Sequence, residues 1–327
     1  MIFEFTTAPG FDFITLFSKQ INAPVRDNLL EIPKTLGEGY VRKVGFGDDF
    51  KLTIHRYILK EDLIVKRNPA AVANNVRTIF FYNDREDLEV KYHSKANMPG
   101  SQKNDSSILL SSNDLRTEIR FPAGSNIQYI VVGITANRLR SVLSIEKPNG
   151  TLKTITAENA SFLFFESLDA EMQLLLKNIV SIDMNNSLNN FYVQIKVQEL
   201  MYLLFSKLSL REHTTFKNIN SNDAEKLLVI RNEVLSDLST PPVLSELATM
   251  ASMSETKLKQ LFKQTFGDTI YNYYQKARME EAAFLLKQAK HSVSEVGYEL
   301  GFSNLSHFSR LFAKQYGITP KKFSYTS

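Results

Sequence analysis

The sequence predicts an α+β protein in two parts, an N-terminal β-barrel carrying a helical hairpin and a C-terminal part made only of helices. Three observations predict it. Short runs rich in β-branched and aromatic residues fill the stretch from about Val41 to Thr135. Two long stretches with apolar residues at helical spacing follow. From Leu244 to Phe323 one pattern of short helix, turn and longer helix then occurs twice. At 327 residues the chain is long enough for two domains, and 43% hydrophobic with 23% charged residues is the composition of a globular protein.

The opening MIFEFTTAPGFDFITLF contains Glu4 and Asp12 and no early Lys or Arg, so it lacks the basic start of a signal peptide. No apolar run approaches the roughly eighteen residues of a membrane helix, and the expectation is a cytoplasmic protein with no membrane partner. There is no cysteine. That removes disulfides, thiolate metal sites, thiol redox sensing and transfer of methyl groups to a cysteine.

In the strand-rich region, Phe50, Leu52 and Ile54 alternate with Lys51, Thr53 and His55. VRTIFFY (Val76 to Tyr82), TEIRF (Thr117 to Phe121) and IQYIVVGIT (Ile127 to Thr135) are further strands, with a turn at PAGS, Pro122 to Ser125. Short strands with polar turns point to a small barrel or sandwich. His55 and His93 are far apart in sequence and no His-x-His pattern accompanies them, so no metal and no cofactor is expected and both read as surface or hydrogen-bonded histidines. Arg56, Arg116 and Arg120 are candidates to meet an anionic ligand, with nothing to choose among them.

A short helix is expected near Ala136 to Leu143 and a polar turn at Pro148 to Gly150. Helices over Leu168 to Ser181 and Leu188 to Leu208 then form a hairpin turning at Asn185 and Asn186. The second is apolar on more than one face, which suits one side covering the barrel and the other meeting a second subunit. These elements make up a sensing and dimerisation domain over 1–210. REHTTFKNINSN, residues 211–222, is polar and aperiodic and reads as a linker. Asp223 opens a helix that Pro241 and Pro242 close, beginning a third section over 223–327.

The two repeats are LSELATMASMSETKLKQLFKQTFG (Leu244 to Gly267) and VSEVGYELGFSNLSHFSRLFAKQYG (Val293 to Gly317). Ser245, Glu246, Ala248 and Ser254 match Ser294, Glu295, Gly297 and Ser303 at an offset of 49, after which one extra residue raises the offset to 50. Leu258, Leu261, Phe262 and Gly267 then match Phe308, Leu311, Phe312 and Gly317. Ala248 and Gly297 stand where two helices cross closely, and Ser254 and Ser303 suit N-caps. Gly297 should soften its helix by roughly 0.5–1 kcal/mol relative to Ala. Ser292 with Glu295 makes a capping box where the first unit has only Val243. Ile270 to Lys290 is one long connecting helix, capped by Asp268 or Thr269.

Each unit is a helix-turn-helix pattern, and off its core stripe stand residues of the kinds that read DNA. Thr256, Lys259, Gln260 and Lys263 fall at i, i+3, i+4 and i+7 of the first long helix (254–266), and Ser306, His307, Ser309 and Arg310 occupy the second (304–316). Arg and Lys bond guanine O6 and N7 in the major groove, and Gln pairs with adenine N6 and N7. From Ser254 onward eleven basic residues face six acidic ones, a net +5, while the rest of the chain is −1. Phosphate binding needs such an excess.

The stretches GFSNLSHFSRLFAKQYGITPKKF (Gly301 to Phe323), RMEEAAFLL (Arg278 to Leu286) and LATMASMSETKLKQLF (Leu247 to Phe262) resemble the AraC/XylS family of transcriptional regulators. The resemblance implies two recognition helices in successive major grooves and an N-terminal sensing or dimerisation domain, usually a cupin-like barrel. It implies double-stranded DNA, RNA polymerase, a small-molecule effector and a second copy of the chain as partners, with activation rather than catalysis as the output. Its base-reading places fall on Thr256, Lys259 and Gln260, and on Leu305, Ser306, His307 and Arg310. With Lys263, and without Leu305, these form the DNA-binding set; Leu305 serves equally to complete the apolar stripe. Arg278 reads as structural or phosphate-facing. The sequence departs from the family pattern at Gly297, usually Ala, and at Ser324, often Arg. The alternative reading is a cupin-type small-molecule-binding protein or enzyme with an appended helical domain.

Overall fold

A computed structural model describes residues 1–7, 11–69, 75–82, 89–91, 107–182, 188–211, 216–288 and 290–325. Contacts divide the chain into two compact units, Met1–Glu225 and Lys226–Ser327.

The first unit contains, in order, β1 (Ile2–Thr6), α1 (Phe13–Gln20), β2 (Val25–Arg26), β3 (Leu29–Glu31), β4 (Gly37–Gly45), β5 (Phe50–Leu59), β6 (Leu63–Asn68), β7 (Val76–Tyr82), β8 (Glu89–Lys91), β9 (Ser107–Ser112), β10 (Thr117–Phe121) and β11 (Asn126–Thr135). α2 (Ala136–Leu143), α3 (Gly150–Thr156), β12 (Leu163–Ser167), α4 (Ala170–Ser181) and α5 (Asn189–Ser209) follow. The strands form a four-stranded sheet, β1-β6-β10-β8, and an eight-stranded sheet, β12-β9-β7-β11-β5-β4-β3-β2. Only β1 and β6 pair in parallel among the described strands.

Side chains alternate across a strand, so the large sheet has two different faces. Leu52, Ile54, Ile79, Phe81, Ile130 and Val132 point one way and share a core with Met172 and Leu176 of α4 and Val193, Val197 and Leu204 of α5. Their in-between neighbours Thr53, Thr78, Phe80, Tyr129 and Val131 point the other way, towards the small sheet, and line a cavity of about 410 Å³. Gly133 helps to keep that space open, since a Cβ there would meet only Val76 at 3.9 Å.

His55 is not a surface residue. It is fully buried, stacked on Tyr129 with ring centroids 4.1 Å apart, and its Nε2 lies 3.0 Å from Thr53 Oγ1. Burial disfavours the charged imidazolium and pulls its pKa down to about 3. His93 falls outside the described residues. The polar turn expected at Pro148 to Gly150 is the start of α3: Asn149 Oδ1 accepts from Leu152 N at 2.9 Å and so caps a helix. Arg77 is buried beneath α3, its Nε donating to Ile155 O at 2.7 Å and its guanidinium 5.4 Å from the Phe162 ring.

The expected hairpin helices are α4 and α5, with Asp169 capping α4 through Met172 N. The turn expected at Asn185 and Asn186 falls outside the described residues. Within 211–222, Arg211 pairs with Glu166 at 2.7 Å and Ile219 is buried, its amide donating to Ser161 O. Arg116 N donates to Ser221 Oγ, and the next helix opens at Ser221, two residues before Asp223.

The second unit has helices and no strand among its described residues: α6 (Ser221–Ser236), which spans the division, then α7 (Leu244–Ala251), α8 (Glu255–Phe266), α9 (Ile270–Lys287), α10 (Val293–Glu299), α11 (Leu305–Tyr316) and α12 (Pro320–Tyr325). α9 is the central element, against which α8, α10, α11 and α12 all pack.

Candidate nucleic-acid interface

The first pair, α7 and α8, turns at Ser252, which adopts the left-handed conformation at φ 49°. The second pair, α10 and α11, turns at Gly301, φ 75°, the residue 49 positions on. The hydrogen bonds around the two turns correspond as well. Met253 N donates to Ala248 O, and Phe302 N to Gly297 O. Only beyond that point does the second turn lengthen by one residue.

That residue changes the cap. Ser254 caps α8, its Oγ accepting from Lys257 N at 3.2 Å. The expected counterpart, Ser303, does not cap α11; Asn304 does, its Oδ1 accepting from Ser306 N at 2.9 Å and His307 N at 3.1 Å. Asn is as strong an N-cap as Ser, so the inserted residue hands the role on by one position. Both long helices then end on a left-handed glycine, Gly267 and Gly317. Thr269 caps α9, accepting from Asn272 N.

Each long helix buries one stripe and exposes the opposite side. In α8, Leu258, Leu261, Phe262 and Phe266 are buried, Thr256 and Lys259 are exposed, and Gln260 and Lys263 are half-buried. Lys259 reaches back to Glu255 across one turn at 3.7 Å, a solvated contact that leaves the ammonium accessible. In α11, Phe308 and Phe312 are buried, Ser306 and Arg310 are exposed, and His307 and Ser309 are half-buried, with the His307 ring set edge-on to Phe302 at 6.0 Å. Leu305 belongs to the packing: its Cδ2 lies 2.6 Å from where a Cβ on Gly297 would stand. Gly297 is therefore the space Leu305 fills, and its cost to helix propensity is tied to that contact.

Arg278 is structural. It is buried on α9, donates to Leu300 O at the end of α10, and holds its guanidinium 3.7 Å from the Phe302 ring centroid. A second tie comes from the segment before α7. Tyr274 of α9 donates to Leu238 O at 3.1 Å, Leu238 packs into the second pair's core, and Ser239 O lies 1.9 Å from where a Cβ on Gly301 would be. The chain leading into the first pair thus braces the second.

Electrostatic detail differs between the pairs. α10 has the full capping box, with Ser292 N donating to Glu295 Oε2 at 2.7 Å and Glu295 N to Ser292 Oγ at 3.2 Å. The first of these bonds holds the Glu295 carboxyl below its usual pKa. α7 has no side-chain cap at Val243.

Among the described residues no helix is long and apolar enough to cross a membrane, and no three His, Asp or Glu side chains are grouped so as to hold a metal ion.

A family model described as a helix-turn-helix domain matches residues 247–325. The HTH-type transcriptional activator RhaR of Escherichia coli K12 is 30% identical over 129 residues, 38% of this chain and 46% of that protein; RhaR of Shigella flexneri serotype 5b aligns identically. The chain spans just under half the length of these relatives. Among solved structures, ToxT from Vibrio cholerae O395 aligns with 85% of this chain and 98% of its own at 17% identity and a TM-score of 0.29. An AraC-type DNA-binding domain protein from Chromobacterium violaceum aligns with 32% of this chain and 95% of its own at 28% identity and a TM-score of 0.30. These TM-scores are too low to bear on the fold. The match over 247–325 and the likeness to RhaR agree with the duplicated turn geometry: the C-terminal part of this chain carries a helix-turn-helix domain similar to that of an HTH-type transcriptional activator.

Proposed function

We propose that the protein is a sequence-specific DNA-binding transcription regulator, an activator that answers to a small molecule and catalyses no reaction. The observation that carries this is the pairing of two capped helices, α8 and α11, on one central helix, each exposing a polar side opposite its buried stripe. In this reading Thr256, Lys259, Gln260 and Lys263 enter one major groove and Ser306, His307 and Arg310 the next, about 34 Å or one turn away. Residues 223–327 form the DNA-binding part, 211–222 join it to a sensing part over 1–210, and the two sheets there serve as a cupin-like barrel. An effector would occupy the cavity between the sheets. RNA polymerase is the expected partner at the promoter.

The same reading makes the protein a homodimer. α5 buries Val193, Val197 and Leu204 but exposes Phe191 and Tyr202 by 61% and 69%, with Tyr192 and Ile195 beside Phe191. Covering that face with a second copy would remove exposed aromatic surface from water. Phe191→Asp with Ile195→Asp should convert a dimer to a monomer in light scattering, and an unchanged mass would remove this role from α5.

The DNA reading is tested by inserting about five base pairs between the two boxes of a selected operator, which turns the second box to the far side. Affinity should fall sharply. Equal binding to both spacings would mean that α8 and α11 do not read one face of the duplex together.

A further inference from the structure

Three arginines were candidates for an anionic ligand on sequence grounds, and the structure assigns none of them to the cavity. Arg120 is paired with Asp62 at 2.6 Å, Arg56 is exposed, and neither they nor Arg116 line it. The arginine that does line it is Arg67, 6% exposed, on β6.

Strand register explains the placement. Arg67 lies in one cross-strand row with Phe5 of β1 and Thr117 of β10, and the next inward row is Phe3, Val65 and Ile119. The row containing Arg67 faces the polar part of the large sheet. Arg67 Nη2 donates to Ser111 Oγ at 3.0 Å and to Leu115 O at 3.2 Å, neutral groups that hold the guanidinium in place at the cavity wall. Elsewhere the lining includes the rings of Phe80, Phe121 and Tyr129 together with Asp12, Lys43, Asp48, Asp49 and Lys51, of which Lys43 is paired with Asp12 and Lys51 donates to Phe11 O. The cavity therefore sets a deeply buried cation and hydroxyls beside aromatic rings. Two further atoms point to a ligand: Thr117 Oγ1 and Asn75 Oδ1 both belong to cavity-lining residues, are buried, and bond nothing among the described residues. A buried hydroxyl left without a bond is costly, and a carboxylate beside Arg67 would accept from it.

We propose that this cavity binds a small amphipathic monocarboxylate, its carboxylate on Arg67 and Thr117 and its apolar body among Phe5, Phe80, Phe121 and Tyr129. The volume of about 410 Å³ suits an organic molecule of about a dozen heavy atoms, a medium-chain acid or a fused aromatic acid. This inference rests on the reading of 1–210 as an effector-binding part.

The test uses the purified full chain with octanoate and naphthoate, each against the corresponding alcohol. Binding is followed by equilibrium dialysis and by the shift in unfolding midpoint. The acids should bind at least roughly tenfold more tightly than the alcohols, the worth of a charge-assisted hydrogen bond. Arg67→Met should abolish the preference. Thr117→Val guards against a folding defect, because that hydroxyl bonds nothing among the described residues. It should leave the unliganded midpoint in place and weaken octanoate by roughly tenfold. Alcohols that bind as tightly as acids, an unaltered octanoate affinity in Thr117→Val, or no binding of either acid at millimolar concentration would overturn the proposal. Operator affinity measured on the same samples separates the two readings. Acid binding that leaves operator affinity unchanged keeps the carboxylate site and removes the effector role.

Discussion

The two helix-turn-helix pairs of the C-terminal unit repeat the same buried spacing but are secured by different means. The first pair starts at an uncapped Val243 and turns on Ser252, a residue with a side chain held at positive φ. The second starts on a capping box and turns on Gly301, for which positive φ is free of strain. Apolar spacing alone is thus enough to place a helix against α9. Burying one Phe contributes about 1.5–3 kcal/mol, more than a cap, and the first pair buries Leu258, Leu261 and Phe262. Caps and turn residues then decide how firmly each pair is held.

The largest expected effect comes from exchanging the turn residues. Gly301→Ala places a Cβ on Ser239 O and a side chain at positive φ, so it should cost about 3 kcal/mol or more, seen as a lowered unfolding midpoint and lost operator binding. Ser252→Gly, at the matching place, should instead stabilise by up to about 1 kcal/mol. Equal effects at the two turns would end the distinction between them.

Next come the exposed faces. Gln260→Ala in the first pair and Arg310→Ala in the second should each cost about 1–3 kcal/mol of operator affinity and relax preference at one base position, measured against single-base operator changes. If Arg310→Ala weakens every sequence equally, Ser306 and His307 take over as readers in the second pair. Lys322→Ala, treated as a phosphate contact, should weaken all sequences alike and reduce the salt slope by about one.

Caps give the smallest effects. Ser292→Ala should cost about 1 kcal/mol and Val243→Ser should gain a comparable or smaller amount, read from chemical denaturation. The capping box also carries a pH signature. Because the folded Glu295 has a depressed pKa, its contribution is present above the ordinary carboxylate pKa and disappears as pH falls through the depressed value. Glu295→Gln should therefore lower the midpoint at neutral pH and make no difference in strong acid; a difference that persists in acid would assign the effect to packing.

How far the site was legible follows from where its physics lies. α8 and α11 are written in local spacing, four or fewer residues between neighbours on a face, and so are the caps at Ser254, Thr269 and Ser292. The sequence places the cap of α11 at Ser303, one residue before the actual cap Asn304, because both are good caps and only the geometry of the longer turn selects between them. The sequence leaves Arg278 either structural or phosphate-facing, and its contacts with Leu300 O and the Phe302 ring make it structural.

The N-terminal unit divides differently. Its strands at 76–82, 117–121 and 127–135 are declared by β-branched and aromatic composition, and the helices of 170–181 and 189–209 by their period. By itself the sequence determined two regions, their secondary structure where the pattern is strong, and the chemistry of the two polar helix faces. It did not determine that LIVKRN is a central strand with a buried arginine, because a charged pair in a short apolar run reads as solvated surface. Tertiary structure decided that by pairing β6 between β1 and β10, partners fifty or more residues away on either side. A residue's burial is a property of the chain packed over it, and across a sheet that chain is remote in sequence.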